Sequence, residues 1–169
     1  MLRQRDDTIK LPDWRFPGYS ERVTPARAGG YELRLDGTLI LVVEDHADSR
    51  DVLRQFLESL GAKVLLAGDG IEALHILEAR VPDIVLTDIR MPRMDGVQLA
   101  YRMKRHVRWA RVPITAVTAY NSPTDLRTTL EAGFDGHLEK PINFDVLLST
   151  VTRLLGRQRT RRRRPRRPR

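Results

Sequence analysis

Five polar residues each stand where a short apolar run of the sequence ends. Glu44 and Asp45 follow the first run of this kind. Asp88, Thr118 and Lys140 follow three later runs. Because the carboxyl ends of parallel strands meet at one edge of a sheet, we expect these side chains to converge there. Acidic, hydroxyl and ammonium groups at one edge make a metal-assisted phosphoryl-transfer site.

The apolar runs have the length and composition of buried strands. They span residues 38–43, 63–67, 83–87, 114–117 and 136–139, and the run at 63–67 ends without such a polar residue. Continuous Val, Ile and Leu favour strands covered on both faces, as in a parallel sheet. Between the runs, apolar residues recur at helical spacing; Val52 to Leu60 is one example, and Asp48 or Ser49 would cap that helix. Strand and helix therefore alternate five times.

This alternation predicts one doubly wound α/β domain over residues 37–156, with helices on both faces of a parallel sheet. A chain of 169 residues that is 41% apolar can bury one such core. Residues 1–36 lack sustained periodicity, so we expect them to be mostly disordered. The aromatic residues Trp14, Phe16 and Tyr19 there would pack on the domain or on a partner, or have no role.

The net charge of +8 belongs to the carboxyl-terminal end of the chain. Residues 157–169 contain nine arginines and no acids, and the remainder has 21 basic against 22 acidic residues. We expect this tail to be disordered, because it has almost no apolar side chains and its charges repel. It would contact nucleic acid without sequence specificity, an anionic membrane or an acidic protein, or it is an incidental arginine-rich end.

Several protein classes are disfavoured by what the sequence lacks. It has no cysteine, which excludes disulfides and thiolate metal sites. No apolar run approaches membrane-spanning length, and the first residues do not form a signal-peptide pattern. We therefore expect a soluble, cytoplasmic protein.

Three carboxylates brought to one edge would repel each other. At an effective dielectric constant near 20, two unit charges about 4 Å apart cost about 4 kcal/mol. A divalent cation relieves this repulsion, and oxygen ligands beside phosphate chemistry favour Mg²⁺. The four histidines of the sequence are scattered without metal-ligand spacing, and we assign no metal to them: His46, His75, His106 and His137.

Residues 38–155 resemble the receiver domains of response regulators in two-component signalling, the CheY-like superfamily. The resemblance rests on Glu44-Asp45, on the string Asp-Ile-Arg-Met-Pro-Arg-Met-Asp-Gly that begins at Asp88, on Thr118-Ala119 and on Lys140-Pro141. It implies a flavodoxin-like sheet with strand order 2-1-3-4-5 and a cis bond before the proline.

The resemblance also implies a role for each site residue. Asp88 would accept a phosphoryl group from a histidine kinase or a histidine phosphotransfer protein. Asp45 and Asp88 would bind Mg²⁺ directly, Glu44 through water, and Arg90 through its backbone carbonyl. Thr118 and Lys140 would contact the phosphoryl oxygens. The protein would be an enzyme only in catalysing its own Mg²⁺-dependent phosphorylation and dephosphorylation.

Signal output in this family follows movement of the threonine and of an aromatic residue three positions before the lysine. Here that position is His137, which would either turn inward with Thr118 or stay on an edge strand without a switching role. The fourth helix, fifth strand and fifth helix would carry the signal. Arg90 and Tyr120 would flank the path of hydrolytic water, and their bulk predicts slow autodephosphorylation.

Each residue also has a plainer interpretation, since aspartates often cap helices and lysines often lie free on a surface. The joint pattern favours a phosphorylatable signalling module in a phosphorelay. Two alternatives remain open at this point. One is a degenerate receiver that serves as an interaction scaffold, and the other is a receiver that controls non-specific nucleic-acid binding by the basic tail.

Overall fold

The computed structural model describes residues 34–119 and 123–163, with the side chains of residues 34–119, 127–158 and 160. Its strands form one parallel sheet of five strands in the order β2-β1-β3-β4-β5, which confirms the predicted doubly wound, flavodoxin-like α/β fold. The elements in chain order are β1 (Leu39–Val43), α1 (Ala47–Ser59), β2 (Lys63–Ala67), α2 (Gly70–Ala79), β3 (Ile84–Thr87), α3 (Gly96–Arg105), β4 (Ile114–Thr118), α4 (Pro123–Ala132), β5 (Gly136–Glu139) and α5 (Phe144–Arg163).

The three central strands are buried on both faces, as their continuous apolar sequences predict. Successive side chains of a strand point to opposite faces of the sheet. Ile40 and Val42 of β1 therefore pack in the core beneath α1 and α5, whereas Leu41 and Val43 pack in the core beneath α2 and α3. Two separate cores thus hold the sheet rigid, and the loops beyond its strands are built on a fixed frame.

The amino-terminal end of α1 differs from the expected capping. The N-cap residue is His46, and it makes no side-chain capping hydrogen bond. Asp48 and Ser49 lie inside the helix, so the prediction that one of them is the cap was wrong. Asp48 still lies in the first turn, where a carboxylate interacts favourably with the helix dipole.

The ordered structure extends beyond residues 37–156 at both ends. Leu35 is buried in the core with α1 and α5, and its N–H donates to the Leu60 carbonyl at 2.7 Å. Helix α5 continues to Arg163, seven residues into the segment where we expected disorder. Arginine has a high helix propensity, and extending an existing helix avoids the cost of nucleation.

Several sequence-based expectations concern residues outside the described part of the chain. They are the disorder of residues 1–33, the aromatic group of Trp14, Phe16 and Tyr19, the role of Tyr120, and the tail beyond Arg163. Within the described residues, no helix is both long enough and apolar enough to cross a membrane.

Candidate functional site

Lys140 joins two of the predicted acidic residues at the carboxyl edge, by which we mean the edge where the strands of the sheet end. Its Nζ donates to Glu44 Oε2 at 2.7 Å and to Asp88 Oδ2 at 2.5 Å. These carboxylates follow β1 and β3, while the lysine follows β5. Parallel strands therefore bring together groups that are up to 96 residues apart in the sequence.

The backbone holds the Asp88 carboxylate in a defined direction. The Asp88 N–H donates to the Val43 carbonyl at 2.9 Å, and its own carbonyl accepts from Thr87 Oγ1 at 2.8 Å. One carboxylate oxygen, Oδ1, accepts from the Arg90 N–H at 3.2 Å. With Lys140 bound to the other oxygen, Asp88 is oriented by both oxygens of its side chain.

Gly96 lets helix α3 begin directly against the loop that carries Asp88. A Cβ at this position would collide with the Asp88 carbonyl oxygen, which is a backbone atom. The Gly96 N–H also donates to the Ile89 carbonyl at 2.9 Å. Asp95 caps α3 by accepting from the Gln98 N–H at 2.7 Å, and the Gln98 side chain accepts from the Asp95 N–H in return. The Asp-Gly pair of the motif is therefore a structural requirement of this loop.

The acidic pair after β1 is held by α1. Arg50 Nη1 donates to the Glu44 carbonyl at 2.6 Å, so the helix fixes the backbone of the pair. The Glu44 side chain is 1% exposed and the Asp45 side chain is 27% exposed, which places Glu44 beneath Asp45. His46 Nδ1 lies 3.0 Å from Asp45 Oδ1 and 3.5 Å from Glu44 Oε1.

His46 is a site residue that the sequence analysis missed. Glu44, Asp45 and His46 form a group among the described residues in which one ligand atom of each lies within 4.8 Å of the others. Asp88 is not a member of that described group. The spacing of the histidines gave no signal, because His46 reaches the site through its position beside the acidic pair.

Thr118 is the last residue of β4 and is fully buried. Its carbonyl accepts from the Lys140 N–H at 2.9 Å, so the threonine and the lysine are fixed side by side through their backbones. The Lys140–Pro141 peptide bond is cis, which confirms that expectation. The structure therefore places all five predicted residues at the carboxyl edge, with Glu44, Asp88 and Lys140 in direct side-chain contact.

An ion-paired clasp, formed by Asp69, Glu72 and Arg93, fastens the loop after Asp88 to helix α2. Arg93 pairs with Asp69, and its Nη2 also lies 3.1 Å from Glu72 Oε1. Asp69 caps α2 by accepting from the Ile71 N–H at 2.7 Å. Arg93 adopts a positive φ of 64°, which turns the loop toward the helix. Sequence reasoning missed this clasp because it depends on the loop conformation.

The ammonium group of Lys140 keeps its charge in this setting. Burial by itself lowers the pKa of Lys140, but the hydrogen bonds and negative charges of Asp88 and Glu44 outweigh that effect and raise the pKa above its usual value. Because the Lys140 ammonium stays charged beside Asp88, it favours the binding of a negatively charged group there.

The donor set fits a divalent cation. Glu44, Asp45 and Asp88 supply three carboxylates, and Lys140 supplies one positive charge against them. The remaining negative charge and the oxygen ligands suit Mg²⁺, which binds one or two carboxylates and keeps several waters. His46 adds an imidazole nitrogen at the rim, a ligand that Mg²⁺ does not favour.

The residues expected to control switching and lifetime lie around this site. His137 is half-buried on β5, an edge strand, opposite Ala116 of β4. The Arg90 side chain is exposed. Tyr120 lies outside the described residues, so the roles of this pair stay predictions.

Fold and site together define a flavodoxin-like domain with an acidic, lysine-containing centre at the carboxyl edge of its sheet. Residues 40–152 match the family model of the response regulator receiver domain. This chain belongs to that family, as the resemblance of its motifs predicted.

Curated relatives include both sensor kinases and regulators. The chain is 40% identical over 116 residues to the sensor histidine kinase RcsC of Salmonella typhimurium, a match that covers 69% of this chain and 12% of that kinase. It is 37% identical over 118 residues to the response regulator MprA of Mycobacterium sp. strain KMS, covering 70% of this chain and 50% of the regulator. The chain thus spans only part of the length of these proteins.

Solved receiver domains share the fold over most of their length. The receiver domain of the sensor histidine kinase PA1611 from Pseudomonas aeruginosa is 35% identical with a TM-score of 0.67, covering 71% of this chain and 98% of that one. That structure has a magnesium ion in its active-site cleft. The receiver domain of a histidine kinase from Syntrophus aciditrophicus is 34% identical with a TM-score of 0.67, covering 70% of this chain and 90% of that one.

Proposed function

We propose that this protein is a response regulator that accepts a phosphoryl group on Asp88 and passes the signal on through a protein surface. The donor is the phosphohistidine of a sensor histidine kinase or of a histidine phosphotransfer protein. The observation that carries the proposal is the Lys140 ammonium, which binds Asp88 Oδ2 at 2.5 Å and Glu44 Oε2 at 2.7 Å. This arrangement supports phosphoryl transfer, because it keeps a fixed positive charge beside the nucleophile.

In the transfer step, a carboxylate oxygen of Asp88 forms a bond to phosphorus as the nitrogen–phosphorus bond of the phosphohistidine breaks. The departing imidazole nitrogen keeps the electron pair of that bond and takes up a proton from solvent. Asp88 is a suitable nucleophile because the Arg90 N–H and the Lys140 ammonium orient its two oxygens. Lys140 then stabilises the charge on the phosphoryl oxygens, and the Thr118 hydroxyl donates to one of them.

Magnesium belongs to the same proposal. Asp45 and Asp88 would hold the ion directly, Glu44 through a water molecule, and Arg90 through its carbonyl oxygen. When bound, Mg²⁺ neutralises charge on the transferring phosphoryl oxygens and lowers the repulsion among the carboxylates.

We assign the output to the face formed by α4, β5 and α5. A phosphoryl group adds roughly −1.5 to −2 charges at Asp88, and Thr118 moves toward it. His137 then turns inward on β5, into the space that the threonine leaves. Because burial favours the neutral imidazole ring, we expect activation to be weaker at acidic pH.

Binding of the phosphorylated protein to its downstream partner tests the role of His137. We expect weaker phosphorylation-dependent binding at pH 6 than at pH 8, and His137→Phe should remove that difference. Equal binding at the two pH values in the unaltered protein would exclude His137 as part of the switch.

Phosphorylation itself is tested by intact-protein mass spectrometry after incubation with Mg²⁺ and acetyl phosphate. We expect the mass gain of one phosphoryl group, and its loss in Asp88→Asn. A matched control is Asp36→Asn, because Asp36 is exposed and lies where the strands begin, at the far edge of the sheet. If neither acetyl phosphate nor a cognate kinase gave an adduct, the protein would instead be an interaction scaffold.

A further inference from the structure

The sequence around the end of α3 is unusually basic. No acidic residue occurs between Asp95 and Asp125. Four arginines in this stretch have exposed side chains, and none of the four forms an ion pair with a described residue: Arg102, Arg105, Arg108 and Arg111. A guanidinium group is more weakly hydrated than an ammonium group, so the cost of removing part of its water is small. These four groups are therefore available to an anionic ligand.

The nearby acids do not neutralise this charge, because several of them are already engaged elsewhere. Asp135 Oδ2 accepts from Lys104 Nζ at 2.7 Å and from the Ile114 N–H at 3.0 Å. Glu131 is paired with Arg127 on α4. Glu78, whose carbonyl Arg108 contacts, is the remaining exposed acid at the end of α2. Four arginines beside one such carboxylate leave positive charge in excess.

The same stretch lies at the amino edge of the sheet, by which we mean the edge where the strands begin. It leads from α3 into β4, and Arg108 Nη1 donates to the Glu78 carbonyl at the end of α2 at 3.3 Å. Arg80, which follows α2, is also exposed and forms no ion pair with a described residue. Helix α5 runs back along the opposite face and brings the start of the arginine-rich tail to this edge.

An aromatic surface and a rigid support accompany the arginines. The Tyr101 side chain is 50% exposed, and the Arg105 guanidinium lies 3.6 Å from its ring centroid. Trp109 is buried, donates through Nε1 to the Leu77 carbonyl at 3.1 Å, and stacks on the His106 ring with centroids 3.6 Å apart. The loop is thus anchored, and its charged groups are held outward from a fixed base.

We propose that these five arginines, Arg80, Arg102, Arg105, Arg108 and Arg111, form an arginine surface that binds the phosphodiester backbone of single-stranded nucleic acid without reading its sequence. Guanidinium groups fit phosphate oxygens with paired donors, which a lysine ammonium does not. Tyr101 and the Arg105 guanidinium that lies over its ring supply an exposed planar surface on which a base can stack.

Single-stranded nucleic acid fits the side chains of this surface better than an anionic membrane or an acidic peptide does. A membrane-binding surface gains affinity from inserted apolar side chains, and Val107 is the main exposed apolar group on this loop. An acidic peptide would use the charges but would place no planar group against the surface formed by Tyr101 and Arg105. A nucleic-acid strand uses both and is long enough to reach the basic start of the tail.

The test is fluorescence anisotropy of the full chain with a labelled single-stranded oligonucleotide of about 16 nucleotides, roughly one site length. In the variant carrying Arg105→Gln, Arg108→Gln and Arg111→Gln, we expect affinity to fall by about tenfold or more. The slope of log affinity against log salt should decrease in magnitude by about 2, since each lost phosphate contact contributes about 0.7 for a single strand.

A charge-matched control carries Arg34→Gln, Arg54→Gln and Arg127→Gln, because each of these arginines is already ion-paired. This control should retain most of the affinity. Equal losses in the two triple variants would overturn the proposal, because binding would then follow net charge alone. Preferential binding to phosphatidylserine vesicles or to polyglutamate would also overturn it and assign the surface to a membrane or to an acidic protein.

A second measurement uses the unaltered protein and does not depend on the folding of a variant. Modification of arginines by phenylglyoxal is mapped by mass spectrometry with and without the oligonucleotide. We expect protection of Arg105, Arg108 and Arg111, and continued modification of Arg127. Protection confined to residues 157–169 would show that the tail alone binds, against the proposal.

Discussion

The two edges of the sheet use charge in opposite ways. At the carboxyl edge, Glu44, Asp88 and Lys140 are in contact, and each charge has a partner that fixes its direction. At the amino edge, arginines such as Arg105 and Arg111 stay exposed without an ion pair to a described residue. Paired charges suit a site that must hold one geometry for a chemical step. Unpaired charges suit a surface that must accept a ligand in many positions.

The difference follows from how parallel strands end and begin. All five strands end at the carboxyl edge, where short loops place side chains from distant parts of the sequence within a few ångströms. The helices return to the amino edge, where a chain end or a longer loop such as residues 106–113 can carry a run of like charges. The fold therefore separates a compact centre from an open surface, and changes at one edge should leave the other largely unaffected.

The largest effect is expected for Lys140→Met. This change removes the charge that faces Asp88, so phosphorylation by acetyl phosphate should slow by about 10²-fold or more. Lys63→Met is the matched control, since Lys63 is an exposed lysine at the start of β2, on the amino edge. Phosphorylation rates are measured by intact mass against time. A rate in Lys140→Met equal to that of the control would contradict the role of the ammonium group.

Substituting alanine for Gly96 at the carboxyl edge and for Gly156 in α5 should change the free energy of unfolding in opposite directions. Gly96→Ala forces a Cβ against the Asp88 carbonyl and should lower the free energy of unfolding by about 1–3 kcal/mol. Gly156→Ala places a Cβ in α5 with no atom within 4 Å, so it should raise that free energy by about 0.5–1 kcal/mol. Urea unfolding followed by circular dichroism measures both. Destabilisation of equal size in the two variants would show that Gly96 has no special role in the loop.

The sequence predicted the fold closely because its strongest signals are local. All five strands lie within one residue of the predicted runs, and the residues that end them lie at one edge of the sheet. The helical extension of α5 to Arg163 was not foreseen, because mutual repulsion among arginines suggested disorder. The helix propensity of arginine and the existing helix outweigh that repulsion as far as Arg163.

The five predicted residues lie together at the carboxyl edge, but neither His46 nor the contacts among the five residues were predicted. The motif identified Glu44, Asp88 and Lys140, yet the direct bond from Lys140 to Glu44 depends on side-chain packing across three strands. The ion pair between Asp69 and Arg93 depends on the positive φ of Arg93. An arginine in the sequence does not indicate that conformation. Such contacts follow from the folded geometry, and no short sequence pattern contains them.

The Asp69–Glu72–Arg93 clasp predicts how the carboxyl edge responds to acid. Burial alone raises the pKa of Asp69, but backbone hydrogen bonds from Glu72 and Ile71 and the Arg93 charge lower it overall. Above the ordinary aspartate pKa of about 3.9, this stabilisation is fully present. It is lost as the pH falls from that value toward the folded-state pKa, because the unfolded chain takes up the proton first.

Asp69→Asn keeps the shape of the cap and removes this titration. We therefore expect the stability of the variant to fall less steeply than that of the unaltered protein below about pH 4. Urea unfolding across this pH range makes the comparison. Asp36→Asn is the control at the amino edge, since it also replaces an aspartate by asparagine but at an exposed position. Parallel curves for Asp69→Asn and the unaltered protein would count against the clasp.

The smallest effect is expected on the lifetime of the phosphorylated state. If Arg90 and Tyr120 obstruct the path of attacking water, replacing both with alanine should shorten the half-life of the acyl phosphate. Arg111→Ala is the control, because it removes an exposed arginine from the amino edge only. Decay is followed by intact mass after removal of acetyl phosphate. An unchanged half-life in the double variant would mean that neither side chain obstructs hydrolysis.

The most direct test of the central claim locates the phosphoryl group itself. The protein is incubated with Mg²⁺ and acetyl phosphate, the acyl phosphate is reduced with borohydride, and the reduced residue is located by tandem mass spectrometry. We predict that Asp88 alone is converted and that Asp45 and Glu44 are unchanged. Conversion of Asp45 or Glu44 in place of Asp88, or of no carboxylate at the carboxyl edge, would contradict the account.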